Sequence, residues 1–214
     1  MSFRSLVLSD TNDMNLPFNW FDILVVVVLY FGLSRGRKHG MSEELVSLLK
    51  WMAILFGCAA LYQPIGNAIA TSSVFNQLSG YLIAYLGVAL IIAALFAVFK
   101  TAIGGKLVGS DTFGRSEFYL GMIAGMVRFC CLLIVGLALL NARAYTTAEI
   151  HADVKYQNDV YGSTFFPKLY TVQAQVFDNS LTGPWIKTNL SFFLIKPTEP
   201  EKKEIRKQKE APLP

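Results

Sequence analysis

The sequence predicts an all-α integral membrane protein: four transmembrane helices followed by a small extracytoplasmic helical region. Three observations predict it. The chain is 53% hydrophobic and only 16% charged over 214 residues, too little polar surface for a water-soluble domain of that size. Four apolar runs reach the roughly 17–20 residues that a helix needs to cross a hydrocarbon core about 30 Å thick. Most charges within residues 20–140 collect in two short connections, and from residue 196 onward the chain is a run of Lys, Glu and Pro.

Residues 1–17 read as a short extracytoplasmic tail, and the first span, 18–34, opens with Phe18, Trp20 and Phe21, an aromatic belt of the kind found at membrane interfaces. A cleavable leader is not expected: Asp10 and Asp13 stand where a basic flank belongs, and no A-x-A site follows. The second span, 45–62, is expected to end near Pro64. The third, 81–99, contains no charge. The fourth, 118–140, is the longest and carries Arg128 in its interior. Four such runs in a soluble protein would leave too little amphipathic chain to cover them.

Orientation follows from the basic residues, which are retained on the cytoplasmic side. Arg35, Arg37 and Lys38 lie between the first and second spans, Lys100, Lys106 and Arg115 between the third and fourth. No charge lies between the second and third. Both termini are therefore expected outside the cytoplasm.

Small residues at intervals of four let helix backbones approach closely in a bilayer. Gly121 and Gly125 have that spacing in the fourth span and Ala53 and Gly57 in the second, while Ala89, Ala93 and Ala97 form a stripe in the third. Arg128 lies ten residues into its span, about 15 Å deep at 1.5 Å per residue and close to the midplane. A central arginine is costly unless it faces other helices and finds a partner. It shares a face with Gly121 and Gly125, so it is expected to point inward and pair with an acid. Asp22, Glu43 and Glu44 are the candidates, with Glu44 preferred over Asp22. Lys50 is shallower and is expected to snorkel toward the headgroups.

Catalytic chemistry is not visible. Cys58, Cys130 and Cys131 lie inside spans and read as packing residues. His39 and His151 fall on opposite sides of the membrane, which excludes a shared metal site. No phosphate-binding loop, nucleophile elbow, zinc-protease or dinucleotide fingerprint occurs. The expectation is a protein that is not an enzyme, with no cofactor, no metal and no nucleic-acid partner.

The stretch NWFDILVVVVLYFGLSRGRKHGMSEELVSLLKW resembles the opening of the colicin V production (CvpA) family of bacterial inner-membrane proteins. There an aspartate heads the first helix and a G-x-x-x-G-x-x-x-E run precedes a leucine-rich second helix. Asp22, Gly36, Gly40 and Glu44 hold those positions here, which adds Gly36 and Gly40 to the helix-packing glycines. A second block, an acid followed by glycines at plus four and plus eight and an arginine at plus eleven, is similar to Glu117, Gly121, Gly125 and Arg128. Glu117 replaces the family's usual Asp, His39 its Arg and Phe129 its Gly. The resemblance covers residues 19 to about 140. It implies a membrane protein linked to colicin V production or export and envelope homeostasis, without an established catalytic activity.

Residues 141–195 are expected to form a cap on the bundle or a helix lying in the interface. Ser163 or Thr164 is the expected N-cap of a helix carrying Phe165, Phe166, Leu169, Val172, Val176 and Phe177, broken by Thr182-Gly183-Pro184. Residues 196–214, rich in Lys, Glu and Pro, read as a disordered charged tail. Two functions fit. One is a scaffold or assembly factor whose partners are the lipid bilayer and other membrane proteins or itself. The alternative is an oligomeric transport or channel component, with Asp22, Lys50 and Arg128 along a polar path.

Overall fold

The computed structural model describes residues 18–71, 75–107, 114–162 and 168–198. The expected N-terminal tail therefore lies outside the described residues, as does the charged tail beyond residue 198. The described residues form six α-helices: α1 Trp20–Ala70, α2 Gln77–Leu107, α3 Glu117–Asn141, α4 Thr147–Tyr161, α5 Leu169–Phe177 and α6 Thr182–Asn189. Short 3-10 turns occupy Gly114–Ser116 and Ser191–Phe193.

Three of these helices are long and apolar enough to cross a membrane: Trp20–Ala70, Gln77–Ala102 within α2, and Glu117–Asn141. Four separate spans were expected, and the difference lies in α1. Residues 35–44, read from their charges as a connecting loop, are helical on both sides of one break at Gly40 (φ 72°, ψ 173°). His39 is thus a helical residue. A straight helix of 51 residues would be about 75 Å long, more than twice the hydrocarbon thickness. Instead the chain folds back at Gly40, and Phe21 and Tyr62 meet in one buried cluster. The left-handed φ explains why glycine stands at the turn.

Pro64 does not end the helix, which continues to Ala70. Tertiary packing holds that last stretch: Gly66 lies against Gly80 and Tyr81 of α2, and Tyr62 and Tyr81 meet edge to face at 5.5 Å. The α2 helix exceeds the expected 81–99 at both ends, whereas α3 differs from the expected 118–140 by one residue at each end. On α2, Leu90, Ile91, Leu95 and Val98 are 63–71% exposed, an apolar surface that a bilayer covers and water does not.

The C-terminal region departs further from expectation. Helix α4 was not expected; Thr146 caps it, its hydroxyl accepting the Glu149 N–H, and Gly162 closes it in the left-handed conformation. The expected helix caps Ser163 and Thr164 lie outside the described residues, and α5 begins at Leu169. Thr182-Gly183-Pro184 opens α6 instead of only breaking a helix, since proline is tolerated in a first turn. Val176, Phe177, Ile186, Leu194 and Ile195 join the same buried cluster as Phe21, Cys58, Tyr62 and Leu137. Residues 196–198, assigned to the tail from sequence, are held against α3's end: Thr198 N–H donates to the Ala142 carbonyl at 3.0 Å, and Ala144 N–H to the Thr198 carbonyl at 3.1 Å.

Candidate functional site

The centre of the bundle is a backbone-to-backbone contact between α1 and α3. Gly32, Gly36 and Gly40 occupy every fourth position of the first arm of α1 and face Gly121 and Gly125 of α3. A methyl group at Gly36 would collide with the Gly121 carbonyl, and one at Gly125 with the Gly32 carbonyl and the Gly36 Cα. Close approach of this kind needs glycine on both helices. Gly40 closes the row over Glu117, whose Cγ lies 2.8 Å from where a β-carbon would stand.

This proximity brings the ionisable residues together. Glu44, one turn past Gly40, is 3% exposed and accepts from Arg128 Nη1 through Oε2 at 2.6 Å. Its Oε1 lies 3.8 Å from Arg35 Nε. Arg128 itself is 18% exposed and stacks its guanidinium 5.7 Å from the Phe129 ring centroid, where the family pattern has glycine. A carboxylate between two guanidiniums, with the nearer contact short, is a charge-assisted contact that ties both arms of α1 to α3.

Asp22 serves a different contact, 3% exposed at the far end of α1. Its Oδ2 accepts the Asn19 N–H at 3.0 Å, completing the helix cap, and the Leu181 N–H at 3.1 Å. Its Oδ1 accepts the Thr182 N–H at 3.0 Å and the Thr182 hydroxyl at 2.7 Å. Asn19 and Trp20 also donate to the Gln175 backbone and side-chain carbonyls. The carboxylate is thus a clasp for the C-terminal cap and not a partner of Arg128.

Among the described residues Lys50 makes no ion pair. It lies 5.6 Å from the Trp51 ring centroid and lines, with Ser47, Ala93, Phe96 and Lys100, a cavity of about 160 Å³. Gly57 packs against Ile92, whose Cδ1 lies 2.6 Å from where a β-carbon would stand, and Ala53 is half-buried one turn earlier. Cys58, Cys130 and Cys131 are unpaired, and the Cys58 thiol donates to the Tyr85 carbonyl at 3.4 Å. Among the described residues, no three His, Cys, Asp or Glu side chains are grouped to hold a metal ion.

Three participants escaped the reading of the sequence. Gly32 was legible, because it continues the four-residue spacing of Gly36 and Gly40. Arg35 was counted only as a loop charge. Thr182 carried no signal, since it meets Asp22 from 160 positions away. No curated protein and no solved structure is significantly similar to the chain. The sequence model of the family described as colicin V production protein, however, matches residues 21–187, extending past residue 140 into the C-terminal cap. The apolar helices, the Gly36-Gly40-Glu44 run, and Glu117 through Arg128 all fall inside that match, and the chain belongs to the colicin V production protein family.

Proposed function

We propose that this protein is a non-enzymatic scaffold or assembly factor of the bacterial inner membrane, serving colicin V production or export and envelope homeostasis. In this reading each arm of α1 crosses the bilayer once, and α2 and α3 complete four crossings. Arg35, Arg37, Lys38 and Lys100 then mark the cytoplasmic side, with both termini outside. The observation that carries the reading is that the two buried carboxylates, Asp22 and Glu44, are engaged inside the fold. Glu44 is closed between Arg128 and Arg35, and Asp22 is closed by the cap, so the carboxylates are locked into structure and do not line a path. The exposed apolar faces of α2 and of α1's first arm remain for lipid and for other membrane proteins.

Mass measurement after purification in mild detergent tests this. The expected result is a chain that carries other membrane proteins in fixed ratio. A symmetric homo-oligomer that passes ions on reconstitution would instead establish the transport component.

A further inference from the structure

Two adjoining grooves lie where the first arm of α1 meets the start of α3. The larger, about 820 Å³, is lined by Ser34, Arg37, Lys38, Phe118, Tyr119 and Met122. The smaller, about 380 Å³, shares Ser34 and Lys38, adds Arg35 and His39 at one end, and runs along Tyr30, Phe31 and Phe129. Arg37 and Lys38 are exposed, and among the described residues neither makes an ion pair. Arg35 is engaged with Glu44, and His39 Nδ1 contacts the Arg35 carbonyl at 3.0 Å. The two unpaired cations are therefore the groove's available charge.

Their depth is informative. Arg37 and Lys38 stand 17 and 18 residues past Trp20, roughly 25 Å along the helix axis, which places them near the headgroup boundary of a core about 30 Å thick. Tyr30 and Phe31 lie two turns nearer the middle of the bilayer and are 67% and 60% exposed. Cations at the rim, a hydroxyl beside them and aromatic walls running inward match an amphiphile with an anionic head and an apolar tail. A soluble anion would make no use of the walls.

We propose that this groove binds an anionic phospholipid of the phosphatidylglycerol class. Arg37 and Lys38 hold the phosphate, Ser34 donates its hydroxyl, and an acyl chain lies along Tyr30, Phe31 and Phe129. The inference concerns a lipid site and goes beyond the scaffold reading, which it does not require.

The test is native mass spectrometry of the full chain in detergent, titrated with phosphatidylglycerol or with phosphatidylcholine. Wild type is expected to prefer phosphatidylglycerol at least tenfold. At roughly fivefold per cation near an anionic headgroup, the Arg37→Gln, Lys38→Gln variant should lose on the order of thirtyfold in phosphatidylglycerol affinity, and with it the preference over phosphatidylcholine. Lys100→Gln should leave both unchanged, and Arg37→Lys, Lys38→Arg should retain the preference. Because both side chains are exposed, an unchanged melting temperature is expected; if the double variant does not fold, each single variant should show its own fivefold loss. Equal affinity for the two lipids, or a variant that binds like wild type, overturns the proposal. So does displacement of the lipid by millimolar inorganic phosphate, which would assign the cations to a soluble anion. An acidic protein that competes with the lipid for Arg37 and Lys38 would do the same for a protein partner.

Discussion

Exchanging Arg128 for leucine removes the guanidinium 2.6 Å from Glu44 and leaves that buried carboxylate with Arg35 alone, at 3.8 Å. By inverse distance the attraction to Arg35 is roughly two-thirds of that to Arg128, and Arg35, 54% exposed, is weakened further by solvent. The expected loss is therefore about 2–3 kcal/mol, short of the roughly 3–5 kcal/mol of a buried charge left wholly unpartnered. Glu44→Gln works from the other side: it leaves two guanidiniums facing a neutral amide, and about 3 kcal/mol should be lost. In the double variant no carboxylate is stranded and Arg35 turns to solvent, so the combined loss should fall short of the sum by about 2 kcal/mol. Unfolding by sodium dodecyl sulfate in detergent micelles, followed by helical circular dichroism, measures all four corners of the cycle. Single losses that add to within about 0.5 kcal/mol would refute the coupling. An Arg128→Leu variant as stable as wild type would refute the structural role of the arginine altogether.

In the same assay Gly36→Val should lose at least about 2 kcal/mol, because its β-carbon meets the Gly121 carbonyl and backbone cannot yield as a side chain can. Gly87→Ala, with nothing within 4 Å of the new carbon, should stay within about 0.5 kcal/mol of wild type or gain slightly. Asp22→Ala removes four accepted hydrogen bonds and should lose about 3 kcal/mol, with limited proteolysis striking residues 168–198 first. A reporter fused after Gly40 should read cytoplasmic and one after Asn76 extracytoplasmic; the reverse pattern would invert the proposed orientation. Deleting residues 199–214 should leave the melting temperature unchanged, whereas deletion from Leu194 should lower it by removing the buried Leu194 and Ile195.

What could be read in the sequence was whatever period and solvent determine. The uncharged run of α2 and the limits of α3 follow from hydropathy alone, and the inward face of Arg128 follows from its offset to Gly121 and Gly125. What failed were inferences from local signs that tertiary contact overrides. Arg35, Arg37 and Lys38 marked a loop, yet a helix tolerates three exposed cations and needs only Gly40 to reverse direction. Pro64 marked an end, yet Gly66 packed on Gly80 keeps the helix wound beyond it. Helix α4 has its signals in the sequence: Thr146 and Glu149 have the spacing of a helix start, and Gly162 is a helix stop. The Asp22 clasp was beyond reach, because nothing local to an aspartate at a helix start names a threonine in another element.

That clasp also sets a timetable. The last ligands of Asp22, at Leu181 and Thr182, are translated 159 and 160 residues after it. At roughly 5–20 residues per second this is an interval on the order of 10–30 s. Throughout it the carboxylate has only its own helix cap for company, and in the proposed orientation the closing segment must first be carried across the bilayer. The helix that Asp22 opens is therefore completed only by residues made much later. An interrupted product that stops before Leu181 would leave that acid with three of its four hydrogen bonds unmade.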